Sequence, residues 1–302
     1  MDLPANVRCD RRRLAAWPGS LRFQGRGGDL RTYRRPPAAG CDQLAGSLVL
    51  LFDVDEHTGH FGGARAYFGG AGAPDRVDGV MIGYPGPDYV VTGGRGVLRA
   101  RLHVHGVASH SGSRTMTPNA ITKAAQLVSV LAGAELPTGA GPDFPLLPRL
   151  TVTEVAGGSG YTTVPDLCTL NVDVRLTPAF DIAAAENTLR VLTDQVDAAW
   201  PGTRRTLTEI TTRWPAYQLP DDSRLKTALL TAARQAGLSP AAKIAGPSNI
   251  GNYLAGLGIQ ATAGFGVDHQ GLHATDERIR IDSIPPVHAT YHQACLTLLT
   301  PT

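Results

Sequence analysis

The feature that most constrains this chain is a short apolar run, without alternation, that ends in a glycine-bearing polar turn. It occurs three times. Ser47-Leu-Val-Leu-Leu-Phe-Asp53 leads into Val54-Asp55-Glu56-His57-Thr58-Gly59 and then Gly62-Gly63. Val77-Asp-Gly-Val-Met-Ile82 leads into Gly83-Tyr84-Pro85-Gly86, and Ile259-Gln-Ala-Thr-Ala-Gly-Phe265 leads into Gly266 and a loop with Asp268, His269 and His273. Runs this short with no polar alternation predict strands covered on both faces, as in α/β sheets, with a helix following the first run from Ala64 to Phe68. In such sheets ligands collect beyond the carboxyl ends of the strands, where Asp55, Glu56, His57 and His273 fall.

Between the second and third runs the pattern changes to β-α-β-β-α-β, the order of a ferredoxin-like domain. Val97 to His105 alternates as a strand with one wet face. Thr117 and Pro118 start a helix running to about Leu131. Leu150 to Val155 and Cys168 to Leu176 predict strands, Asp181 caps a helix bearing Ile182, Leu189, Leu192 and Val196, and Thr203 to Ile210 predicts the last strand. After it, helices are predicted from Asp222 to Gly237, after Ser248, and from Ser283 to Leu299, with those polar residues as caps. The glycines of Gly93-Gly94-Arg95-Gly96 mark the border of this insertion.

Composition narrows the function. A net charge of +2 in 302 residues gives no electrostatic footprint for nucleic acid. No apolar run approaches the length of a membrane span, and the N-terminus has no signal-peptide pattern. The four cysteines, Cys9, Cys41, Cys168 and Cys295, have neither disulfide-framework nor zinc-knuckle spacing, so a reducing cytoplasm is expected. Residues 1–46 stand apart, with nine arginines in the first 40 positions and no sustained period.

The chemistry-bearing residues point to metal-assisted hydrolysis. Glu56 beside His57 offers a general base next to a metal ligand. His273 is a candidate ligand, Asp29 in Gly25-Arg-Gly-Gly-Asp29 a candidate bridging carboxylate, and His110 in Ala108-Ser-His-Ser-Gly112 either a turn histidine or a group that contacts substrate. His288 and His292 share a helix face, but no glutamate follows His288 as H-E-x-x-H requires, which favours surface histidines. Arg175 and Arg213 are candidates for a substrate carboxylate. There is no G-x-S-x-G elbow, Walker loop or dinucleotide glycine pattern.

From residue 47 onward the chain resembles the zinc amidohydrolases and peptidases that include acetylornithine deacetylase, succinyl-diaminopimelate desuccinylase, glutamate carboxypeptidase and aminoacylase, peptidase family M20. The resemblance rests on Asp55-Glu-His-Thr-Gly59 against the family's D-E-E-x-G. It also rests on Gly94-Arg-Gly-Val-Leu through Ser109-His-Ser-Gly112, Asn119-Ala-Ile121, Gly157-Gly158 with Thr163-Val-Pro-Asp166, Asp173-Val-Arg175, Gly246-Pro-Ser-Asn249, and His273 with Asp276-Glu277. It implies a zinc-peptidase-like catalytic domain (47–95 and 211–302) interrupted by a ferredoxin-like lid and dimerisation domain (96–210). It further implies Glu56 as general base, His57 and His273 as ligands with Asp29 bridging, and His110 reaching from a dimer mate to steady the oxyanion.

The expected cofactor is zinc, one or two ions, with cobalt or manganese as substitutes, and the expected substrate an N-acyl amino acid or small peptide bound by a cytoplasmic homodimer. Three departures accompany the resemblance. No H-x-D strand is present, Tyr84 stands where a ligating carboxylate is expected, and GRGGDL lacks the family's lysine; they suggest an N-terminally shortened hydrolase. The alternative is a non-catalytic remnant that binds ligands or dimerises.

Overall fold

A computed structural model describes residues 45–53, 61–139, 144–272 and 274–300. The chain divides into two compact units, Met1–Gly93 with Leu219–Ala245 and Asn249–Thr302, and Gly94–Gln218 with Gly246–Ser248.

In the first unit the Val80–Gly83 and Ala261–Phe265 strands run parallel, with a register shift between Met81 and Gly83 that brings Gly83 opposite Phe265 at their carboxyl ends. The Tyr89–Gly94 strand follows antiparallel, with Ala263 opposite Val91, and Ala241–Ala245 lies next to it. Neither of these last two strands stands out in the sequence as a buried run. Gly264 is left-handed (φ +70°), and a Cβ there would sit 2.5 Å from Val91 Cγ2, so only glycine fits this point of the sheet. The Arg224–Gln235 and Ile284–Leu299 helices cover the sheet through Leu229, Ala232, Ala233, Val287, Tyr291 and Ala294, which pack with Val90 and Phe265.

The first apolar run is a correction. Residues 47–53 form no strand, and Val49 and Phe52 are 39% and 53% exposed. Strand structure is a property of the ladder, and an apolar run alone does not supply one. The Gly62–Gly69 helix that follows does form, entered through Phe61, a buried non-glycine residue at φ 54°. Backbone held in that region costs of order 1–3 kcal/mol and persists only where packing over-determines it.

The second unit is the ferredoxin-like domain. Its antiparallel sheet runs Arg149–Gly157, Leu167–Leu176, Gly96–His105, Leu207–Trp214. Period-2 alternation sends Leu98, Ala100, Leu102, Val104, Cys168, Leu170, Val172, Val174 and Leu176 under the Ala120–Ala132 and Ile182–Ala198 helices. The opposite face is polar and cross-linked: Arg99 meets Asp173 at 3.4 Å, Arg101 meets Asn171 at 3.4 Å, and His103 meets Glu209 at 3.3 Å.

Several boundaries move for identifiable reasons. Asn119, not Thr117, caps the first helix, accepting from Ile121 N at 2.8 Å, because Thr117 Oγ1 is engaged with Ser109 Oγ at 2.6 Å. Ser223 rather than Asp222 caps Arg224–Gln235, and Asn249 rather than Ser248 caps Ile250–Gly256. Ser283 sits at the last helix start but turns its hydroxyl to Asp268 N and Arg280 O. The final strand begins at Leu207 instead of Thr203 because the 200–206 segment closes over a buried ion pair. Lys123 Nζ contacts Asp197 Oδ1 at 2.7 Å and donates to Thr203 Oγ1 at 2.8 Å, while Asp197 accepts from Thr206 N at 2.7 Å.

Candidate functional site

In the first unit, the turns leaving the two parallel strands are bonded to each other. Tyr84 N donates to Phe265 O at 3.1 Å, Gly86 N to Val267 O at 2.8 Å, and Gly266 N to Gly86 O at 2.9 Å. Two of the three predicted strand ends therefore lie side by side, with Tyr84 leaving one of them. Beyond Phe265 the chain makes a hairpin, His269 opposite Ile279 and Gln270 opposite Arg278, and Arg280 pairs with Asp268 at 3.3 Å. Asp29, Glu56, His57 and His273 lie outside the described residues, and among the described residues no group of three or more His, Cys, Asp or Glu side chains is placed to hold a metal. As a donor set, two imidazoles and a carboxylate suit zinc.

His110 is described. It belongs to a two-residue ladder in which Ser109 faces Val164 and His110 faces Thr163. Gly112 N donates to His110 Nδ1 at 3.0 Å. An Nδ1 that accepts puts the proton of the neutral ring on Nε2, so the exposed edge of His110 is a hydrogen-bond donor.

The second unit also holds a concentration of positive charge. The Leu167–Leu176 strand places Asp173 and Arg175 on its helix-free face. Arg175 Nε donates to Asp173 Oδ1 at 2.7 Å and Nη1 to Ser248 Oγ at 3.4 Å. Ser248 Oγ donates to Arg95 O at 2.8 Å, and Arg95 Nε donates to Gly246 O at 3.0 Å. Arg149 stands directly opposite Arg175 across the sheet. Like charges in that position are destabilising, and Asp173, which bonds Arg175, acts against that repulsion. Burial, and then the nearness of Arg175 and Arg149, hold Arg95 below its ordinary value, Asp173 acting against them.

Arg213, the other candidate for a carboxylate, is corrected: it lies opposite Leu98, on the helix side of the sheet, where Nε donates to Glu186 Oε1 at 2.5 Å. A bulge between Arg99 and Ala100 sets that facing. Arg95 and Ser248 were not legible as site residues, since one reads as part of a glycine turn and the other as a helix cap.

A family model described as a peptidase dimerisation domain matches residues 92–201. A succinyl-diaminopimelate desuccinylase of Stenotrophomonas maltophilia is 26% identical over 263 residues, 84% of this chain and 67% of the relative. These matches support a relation to the M20 peptidases. An acetylornithine deacetylase of Vibrio atlanticus is 27% identical over 179 residues, 58% of this chain and 46% of the relative.

Two solved structures share this chain's fold. A Staphylococcus aureus tripeptidase superposes with a TM-score of 0.64 at 18% identity, covering 87% of this chain and 67% of its own. A Bacillus subtilis protein described as a dinuclear metal-binding peptidase from the M20 family gives 0.64 at 17% identity, covering 86% and 67%. No helix among the described residues is long and apolar enough to cross a membrane.

Proposed function

We propose that this chain is a metal-dependent hydrolase that cleaves the amide bond of an N-acyl amino acid or small peptide bearing a free carboxylate. The observation that carries the substrate class is the charge imbalance around Arg175, where Arg95, Arg149 and Ser248 gather about one aspartate. Arg175 binds and orients the carboxylate, and Ser248, which accepts from Arg175 and gives its proton to the Arg95 carbonyl, positions that guanidinium. Glu56 takes the proton of the attacking water and returns it to the leaving amine. His110, a donor at Nε2, stabilises the carbonyl oxygen as it gains charge, and on this reading it serves a second copy of the chain. His57, His273 and Asp29 would hold zinc, which lowers the pKa of water to about 7 and polarises the carbonyl. A homodimer through the ferredoxin-like unit, acting in a reducing cytoplasm, agrees with the matched dimerisation model and with Cys168 and Cys295 being free and buried.

Metal analysis of the purified protein tests this reading. At least one zinc per chain is expected, lost in His57→Ala and in His273→Ala, together with turnover of N-acetyl or N-succinyl amino acids. Tyr84, which is not a usual zinc ligand, favours the second reading of a non-catalytic binding protein. Metal-free protein with no turnover after zinc loading would establish that reading instead.

Arg175→Ala gives a finer check. A hydrogen bond to a charged group contributes roughly 1.5–3 kcal/mol. KM for a free-carboxylate substrate should therefore rise about tenfold to hundredfold, with no comparable change for the same substrate as its carboxamide. An equal loss on both would assign Arg175 to scaffolding.

A further inference from the structure

The last helix carries two imidazoles that the proposed reaction does not use. In Ile284–Leu299 the buried residues are Val287, Thr290, Tyr291, Ala294 and Cys295, and Tyr291 Oη donates to Phe265 O at 2.8 Å. That stripe anchors the helix to the sheet. His288 and His292, one turn apart, flank it at intermediate exposure. Their ring planes are 7° from parallel and their centroids 6.2 Å apart. Among the described residues neither ring has a hydrogen-bond or ion-pair partner.

Two partnerless imidazoles, presented side by side on an anchored helix, make half of a coordination shell. Zinc–nitrogen bonds are about 2.0–2.1 Å, so a small rotation that brings the facing ring edges together lets both rings clasp one ion. The i,i+4 spacing is the one zinc-binding helices use. Imidazole selects zinc, nickel or copper over magnesium or calcium. Ala289 occupies the position after His288, where a hydrolytic site would need a glutamate, so nothing here activates water.

We propose that His288 and His292 form a binding site for a divalent transition-metal ion, apart from the residues assigned to hydrolysis, with water completing the coordination. The test uses the full chain carrying His57→Ala and His273→Ala, so that the hydrolytic ligands do not contribute. Calorimetric titration with NiCl2 and with ZnCl2 should show one ion bound per chain, and MgCl2 none. Adding His288→Ala or His292→Ala converts a chelate into a single ligand and should weaken binding at least about tenfold. Unchanged affinity in either variant overturns the proposal, as does no binding by the parent. Where His288→Ala lowers the metal-free melting temperature, His288→Asn carries the same expectation with a polar side chain retained.

Discussion

Asp197→Ala should destabilise the ferredoxin-like unit by about 3–5 kcal/mol, because it strands Lys123 as an uncompensated buried charge. Lys123 is 0% exposed and Asp197 7%. Lys123 Nζ has three oxygens around it, from Asp197, Thr203 and Arg204, while Asp197 takes both the N–H and the hydroxyl of Thr206. The pair ties the Ala120–Ala132 helix to the end of Ile182–Ala198 and to the segment that leads into the last strand. A loss of this size is a large part of the 5–15 kcal/mol typical of a whole domain.

Chemical denaturation with both far-ultraviolet and near-ultraviolet detection measures it. The double replacement Lys123→Met with Asp197→Leu separates the causes. It removes both charges, so most of the penalty should disappear. About 1–3 kcal/mol should remain, since Thr206 N–H loses its acceptor. A double variant as unstable as the single one would show that shape, not charge, dominates at this position.

The same pair predicts a pH dependence. Burial alone would push the Asp197 carboxyl up, but the bonds from Lys123 and Thr206 outweigh it and hold the group below its ordinary value. A carboxyl depressed in the folded state contributes its stability fully above the unfolded pKa of about 3.9, and that contribution drains away as pH falls through the folded value. Acid unfolding of Asp197→Ala should accordingly be shallower below that range than acid unfolding of the parent.

Glu56→Gln should lower kcat by about 10²–10⁴ while zinc content stays at the parental level, the loss expected when a general base is removed. Glutamine keeps the size and one hydrogen-bonding oxygen but accepts no proton at neutral pH. Retained metal matters as much as lost turnover, because the residues assigned to metal binding are His57, His273 and Asp29. If zinc is lost with activity, Glu56 is itself a ligand, and the base must be sought elsewhere. The expected variant should also still bind substrate, with KM changed far less than kcat.

The ferredoxin-like unit was the most legible part of the chain, since its two central strands alternate between a covered and an open face. Val97 to His105 and Cys168 to Leu176 announce both their structure and their facing. The first apolar run misled because five successive apolar residues say only that a segment is suited to burial, whereas pairing needs a neighbour. Two cap positions slipped by one or two residues because the expected cap has another partner, Thr117 in Ser109 and Ser248 in the Arg95 carbonyl. Arg213 lay beyond the expected end of the last strand at Ile210, so alternation gave it no facing; the strand runs on to Trp214, and a bulge turns Arg213 to the helix side.

The tripeptide Gly246–Ser248 clusters with the ferredoxin-like unit although it lies far downstream in sequence, between segments of the other one. The insertion is therefore not a portable cassette. A graft of residues 94–218 alone would leave the Arg95 carbonyl without its serine donor, the Arg95 guanidinium without the Gly246 acceptor, and Arg175 with an open hydrogen-bonding position. Anyone exchanging this module between related chains must transplant two pieces of sequence, one of them three residues long.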